Sequence, residues 1–278
     1  MSRISGLTAI IVTSVLTGCG GANEDTLVDE LRVMAVVSDP PEVAPATTTT
    51  ITATVADPLG VEPDVMLWTC TNLGDGCLEA ADPAQGTVIG RPVEGQLSTV
   101  VTAPVALAGV VSDGVTVLPV LLWTLACAPG VCPAIDLAAA RPAVGSAESE
   151  TLAEFLADPI TGAEALPLTD VSLALSQVRV SMRTAPLQNP VIVPPTDALV
   201  VGVGESVEFT IGVEFEGVTA AYGYTTNGGF SSAEYEVVDG EVKMTWFGSD
   251  EAGTADLWVV VNGEDGGSAV WHTTGSVE

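Results

Sequence analysis

The chain has 278 residues, 47% hydrophobic but only 5% aromatic, with 29 Gly and 18 Pro. So much apolar material excludes disorder as the overall state and suffices for two ordinary domains, and the wealth of Val, Thr, Gly and Pro favours strands joined by tight turns. Acidic residues number 36 against 7 Lys and Arg, a net charge of −29, which excludes nucleic acid as a partner because counterion release onto phosphate needs clustered cations.

The first segment carries one cation, Arg3, ahead of a ten-residue apolar run, Leu7–Leu16. That run is too short to cross a hydrocarbon core of ~30 Å but suits a signal-peptide core. It ends in Leu16-Thr17-Gly18-Cys19. The pattern of leucine, two small residues and cysteine resembles the bacterial lipobox at all four positions. The resemblance implies removal of residues 1–18 and a diacylglyceryl thioether on Cys19. Because Gly20 follows rather than Asp, it also implies an outer-membrane address in the cell envelope. Two or three acyl chains hold a protein at a bilayer where a single one binds only marginally. Residues 19–26 then read as a tether between lipid and folded body. The most apolar later stretch, Val115–Ala126, is twelve residues long and contains Pro119, so it offers no membrane span.

An N-terminal β-sandwich domain is expected over 27–185. Its strands read as Glu30–Val37, Thr48–Val55, Val65–Thr69, Gln96–Thr102, Gly114–Val117, Val120–Ala126 and Val171–Met182, punctuated by Asp-Pro and Gly turns. Runs of β-branched residues at such intervals point to a sandwich. One helical insertion interrupts it near 146–157. Ser146 caps it, acidic residues crowd its first turn, and Asp158-Pro159 ends it.

Four cysteines fall in this half. The segments Pro63–Cys77 and Leu118–Cys132 align without a gap, each with an apolar run, a Trp-Thr pair, and a cysteine nine residues after the Trp. An exported chain folds in an oxidising compartment, so Cys70, Cys77, Cys127 and Cys132 are expected to form two disulfides. Local pairing, Cys70–Cys77 and Cys127–Cys132, closes short loops at low entropic cost; the other two pairings stay open. The spacings do not suit zinc, and a catalytic thiol would lack a nearby histidine.

Residues 186–195 (Pro186–Pro195) form a Pro-rich linker, and 196–278 restart a compact strand pattern. Seven strands are expected there: Ala198–Gly202, Glu205–Phe215, Ala220–Thr225, Glu234–Val238, Glu241–Phe247, Thr254–Asn262 and Ser268–Val277, with Asn227-Gly228-Gly229 and Asp239-Gly240 among the turns. That number in about 80 residues fits an immunoglobulin-like sandwich. The fold class is therefore all-β, with two immunoglobulin-like sandwiches, the first carrying the helical insertion.

The segments LRVMAVVSDPPEVAP, the Trp-Thr-Cys stretch, NPVI and ADLWVVVNGEDGGSAVW resemble those of uncharacterised Gram-negative lipoproteins with tandem immunoglobulin-like or PKD-like domains. The resemblance implies fold and location, and no activity.

Residues that carry chemistry are few. His272 alternates with Trp271 in a terminal strand and reads as a surface residue, and Lys243 reads as solvent-facing; neither makes a catalytic set. Asp239, Asp250, Glu251, Asp256, Glu264 and Asp265 read mainly as solvated charge, with calcium binding at one end of the sandwich as the alternative. Trp246, Trp258 and Trp271 with Tyr222 and Tyr224 read as core, with a sugar-stacking platform as the alternative. No catalytic residue, metal site or cofactor is assigned. The expected function is non-enzymatic: a lipid-anchored envelope protein that binds or tethers a protein or matrix partner at the membrane surface. A carbohydrate- or calcium-dependent, adhesin-like module recognising an envelope polysaccharide is the second reading, and a hydrolase the third.

Overall fold

A computed structural model of the chain describes residues 22–60, 62–70, 88–130, 171–215, 219–263 and 266–278. In the first half, a sheet ordered β1 (Arg32–Asp39), β3 (Thr48–Ala56), β6 (Gln96–Thr102) faces a second sheet. That second sheet is ordered β2 (Glu42–Val43), β8 (Val171–Ser181), β7 (Val117–Cys127), β4 (Asp64–Cys70), β5 (Val88–Gly90). In the second half, β9 (Val191–Val193), β11 (Ser206–Glu214), β15 (Glu241–Phe247) and β13 (Gly229–Phe230) lie in one sheet, flanked in the order β13-β15-β11-β9. The facing sheet runs β10 (Val200–Val201), β17 (Ser268–Val277), β16 (Gly253–Gly263), β12 (Thr219–Thr225), β14 (Glu234–Glu236).

The two halves repeat one topology. Each has a short strand, β2 or β10, running parallel to the last long strand of its half, β8 or β17, while the remaining pairs are antiparallel. In immunoglobulin lettering both halves share A-B-E against A′-G-F-C-C′, the strand order of that sandwich, and the second adds β13 beside its E strand. The fold is all-β with two immunoglobulin-like sandwiches. The helix expected at 146–157 lies outside the described residues, as do Cys19, Cys77 and Cys132.

Strand alternation follows the side chains. On β3, Ile51, Ala53 and Val55 are buried in the core while Thr48 and Thr50 face water, the two-residue period of a half-buried strand. The expected break at Pro119 is corrected: Val117–Cys127 is one continuous strand with Pro119 opposite Arg179. Among the described residues β4 runs only to Cys70, opposite Leu121, so this end of β7 has a described neighbour on one side only, a setting in which a strand tolerates proline. The two tryptophans of the aligned segments, Trp68 and Trp123, stand directly opposite each other on β4 and β7.

Two further expectations are corrected. The tether does not extend to residue 26. Asn23 N–H donates to the Phe230 carbonyl at 2.7 Å, Val28 N–H donates to the Thr225 carbonyl at 2.8 Å, and a short 3-10 turn, Glu24–Thr26, lies between. The fully buried Thr26 hydroxyl accepts the Phe230 N–H at 2.8 Å and donates to the Asn23 carbonyl at 2.6 Å. Residues ahead of the first sandwich are thus stitched onto the second. The approach is so close that a Cβ on Gly229 would sit 2.6 Å from that of Ala22, which only glycine permits. Nor is 186–195 all linker, because Val191–Val193 is paired with Val213 and its neighbours as a strand of the second sandwich.

Candidate interaction surfaces

The sandwiches meet along β1. The register of β1 on β3 slips between Val33 and Ala35, leaving Met34 as the extra residue, and such a bulge re-aims a side chain. Met34 packs with Val28, Ala56 and Trp258, flanked by Tyr224 and Val270. The guanidinium of Arg32 lies 4.7 Å over the Tyr224 ring, a cation–π contact. Burial beneath this cover pushes the Tyr224 hydroxyl above its ordinary pKa, against the pull of Arg32. Tyr222 is shifted the same way, by desolvation first and by Glu234 second.

The short linker is held at both ends. The Glu42 carboxylate, fully buried, accepts the Ser181 hydroxyl and, at 3.0 Å, the Leu187 N–H, with the Arg183 guanidinium 3.8 Å away. A buried carboxylate is costly unless its oxygens are satisfied, and here three groups, all at the exit from the first sandwich, satisfy them. Beyond it, Asn189 donates its amide to the Ser38 carbonyl at 2.7 Å and accepts the Ser268 N–H at 3.0 Å. One side chain thereby joins β1 to the β16–β17 turn. Between these staples lies a cleft of ≈ 330 Å³, lined by Ser38, Ser176, Gln177, Asn262 and Ser268 among others.

The residues with chemical promise are placed as follows. His272 projects outward from β17, stacked on Trp258 with ring centroids 4.9 Å apart and planes 12° apart, and its Nε2 is 3.1 Å from Asp256 Oδ1. Trp271, one residue earlier, turns inward and meets Phe209 edge-on at 6.3 Å. Trp246 is fully buried and donates its indole N–H to the Asn227 carbonyl at 3.1 Å. Trp258 is buried under Met34 and Val28. Hence Trp246 and Trp258 are core and interface, and they build no open stacking surface. Among the described residues no three His, Cys, Asp or Glu converge to hold a metal ion; Glu264 and Asp265 lie outside them.

At the other end of the first sandwich, Asp64 Oδ1 accepts the Arg91 Nε–H at 3.2 Å and Oδ2 accepts the Gly130 N–H at 2.8 Å. Cys127, opposite Asp64, is fully buried and disulfide-bonded. Cys70 lies six positions along the same ladder, opposite Leu121, about 20 Å away at strand spacing. No disulfide spans that distance, so the pairing Cys70–Cys127 is excluded. The choice between the two remaining pairings falls on residues outside those described. Composition had flagged the cysteines and aromatics; it had no signal for Glu42, Asn189 or Met34, whose roles depend on what faces them.

No protein-family model and no curated protein matches the chain. Among solved structures, the D0–D1 domains of intimin match at 14% identity and TM-score 0.24, over 88% of this chain and 98% of that one. The tandem immunoglobulin repeats of Dlar match at 11% identity and TM-score 0.30, over 90% and 96%. A C-terminal fragment of intimin in complex with the intimin-binding domain of its translocated receptor matches at 12% identity and TM-score 0.22, over 88% and 64%. The likeness carries no statement about activity.

Proposed function

We propose that the chain is a lipid-anchored, non-enzymatic protein of the bacterial cell envelope that holds a protein partner at the membrane surface. The observation that carries this reading is the lipobox pattern Leu16–Cys19, followed after only four positions by Asn23, whose backbone is hydrogen-bonded to the second sandwich. At no more than ~3.6 Å per residue, four residues reach about 14 Å. An acylated Cys19 would therefore hold the body close against the bilayer and fix which end of the second sandwich meets it. The net charge of −29 repels an anionic membrane surface, so electrostatics cannot do what the acyl chains do. With the linker stapled by Glu42 and Asn189, the first sandwich is carried at a set angle rather than swinging freely.

Cell fractionation of the wild type and of Cys19→Ser tests the anchor. The wild type should sediment with envelopes and resist high salt, and the serine variant should be released in soluble form. An unanchored wild type, or a serine variant that still sediments, would overturn the reading.

A further inference from the structure

Four sheets present eight margins, and all but one are short or covered among the described residues. β2, β10 and β13 have two residues each, and β5, β9 and β14 three. β14 is Glu-Tyr-Glu, and β9 is followed by Pro194-Pro195. β1 is long but covered: its Val33 N–H donates to Ser172 Oγ at 2.9 Å, its Val36 carbonyl accepts the Ser176 hydroxyl at 3.1 Å, and its Met34 is packed on the second sandwich. Short strands, charges and prolines are the usual means of protecting an edge.

β6 has none of these protections. Gln96–Thr102 (QLSTVVT) is seven residues long with no charge and no proline, and its one neighbour among the described residues is β3. The ladder fixes which of its groups are free. Val55 N–H donates to the Gly95 carbonyl at 2.7 Å and Ala103 N–H to the Thr47 carbonyl at 2.9 Å. Antiparallel pairing alternates, so Leu97, Thr99 and Val101 turn their backbone groups toward β3. Ser98, Val100 and Thr102 turn theirs away. Gln96 also faces outward, but its N–H and carbonyl are closed onto Val93 at 3.0 and 2.8 Å. Three consecutive outward residues thus offer three N–H and three carbonyl groups, none bonded to a described residue. Beside them the side chains make a neutral shelf. Val100 is 63% exposed, and the Thr52 and Ser98 hydroxyls share a 2.9 Å hydrogen bond.

We propose that the margin of β6 is a strand-addition site for an extended, positively charged segment of a partner protein. Strand addition takes affinity from main-chain hydrogen bonds and specificity from alternate side chains; the shelf of Ser98, Val100 and Thr102 admits small hydroxyl-bearing and β-branched residues. The occupant is not a second copy of this chain, because edge-to-edge pairing would bring together two bodies of net charge −29, while the same field draws in a cationic segment. This deepens the proposed function, resting on its reading that a protein partner is held, but its test makes no use of the anchor.

The test titrates the full-length chain with a short fluorescent peptide of alternating threonine and valine ending in lysines. Parallel titrations use the same peptide ending in glutamates and a lysine-ended form N-methylated on alternate amides. Saturable binding of the lysine-ended peptide is expected, with slowed amide exchange at Ser98, Val100 and Thr102 and no change at Tyr235. The glutamate-ended and N-methylated forms should bind about tenfold more weakly or not at all. Val100→Pro removes an outward N–H and spares the β3 ladder, so it should weaken binding by about tenfold with the melting curve unchanged. Should that variant fold poorly, Ser98→Lys places a like charge on the shelf and should weaken the lysine-ended peptide instead. Failure to bind, indifference to these substitutions, protection at another margin, or a dimer in sedimentation velocity abolished by Val100→Pro would each overturn the proposal. Peptide binding and fractionation of Cys19→Ser are independent, so each reading fails by its own measurement.

Discussion

In the second sandwich the space between the sheets is filled by Trp246, Phe230, Phe209 and Met244 with aliphatic neighbours; in the first, by Ile51, Leu67, Leu107, Leu122 and many valines and alanines, with no aromatic side chain in the cluster among the described residues. The margins differ too. β15 has β13 beside it, whereas β6, its counterpart, has β3 alone beside it among the described residues. One strand order is therefore built in two ways. Large rings concentrate burial in a few positions, so the second sandwich depends on single residues. The first spreads the same task over many small contacts and leaves β6 unpaired on one side among the described residues. A further difference accompanies this one: the second sandwich receives the N-terminal segment at Phe230 and Thr225.

The largest test of this contrast is Trp246→Ala. The residue is fully buried and its indole N–H is bonded, so about 3–5 kcal/mol of stability should be lost. Ile51→Val, in the fully buried centre of the first core, should cost only about 0.5–1.5 kcal/mol. Urea unfolding followed by tryptophan fluorescence gives both values; a loss below about 2 kcal/mol for Trp246→Ala would contradict the dependence of the second core on that one residue.

A second substitution probes the link rather than the halves. Glu42→Ala leaves the Ser181 hydroxyl and the Leu187 N–H without the acceptor they have now, a loss of about 1–3 kcal/mol. The transitions of the two sandwiches should also separate in calorimetry. A single unchanged transition would mean that the carboxylate does not couple them.

The smallest effect is expected at Asp113, in the turn before β7. Its carboxylate accepts the Thr116 N–H at 2.8 Å, the Thr116 hydroxyl at 2.7 Å and the Val115 N–H at 3.0 Å. These bonds, those from Thr116 first, hold it below the usual carboxyl pKa. A folded value below the unfolded one adds stability above the unfolded pKa of about 4 and loses it as pH falls through the folded value. Asp113→Asn should therefore lower the melting temperature slightly at neutral pH and not at all in strong acid. A loss that persists in acid would contradict this assignment. The matching corner of the second sandwich uses Ser249, which caps Glu251 N–H at 3.1 Å, and should show no such pH dependence.

Much of the strand pattern was legible in the sequence. Gln96–Thr102, Glu241–Phe247 and Ser268–Val277 match their expected bounds, because β-branched alternation between Gly and Asp turns is a local signal. Val191–Val193 was hidden by its prolines, and β13 by the Asn227-Gly228-Gly229 turn that immediately precedes Phe230. His272 was expected at the surface, and it is nearly half exposed; its stacking on Trp258 had no local signature, since the two residues are brought together only by the pairing of β16 and β17.

Composition and periodicity alone determined that this chain is built of strands, that it divides into two halves, and that its surface is strongly anionic, for these follow from residues acting singly or with near neighbours. Only the tertiary structure decided that Asn23–Val28 belongs to the second sandwich, that Met34 bulges toward Trp258, that Glu42 and Asn189 stiffen the link, and which margin of which sheet is unpaired among the described residues. Each of those depends on groups far apart in the chain meeting at hydrogen-bond or packing distance, and no local pattern records which partner a polar group or an edge strand will find.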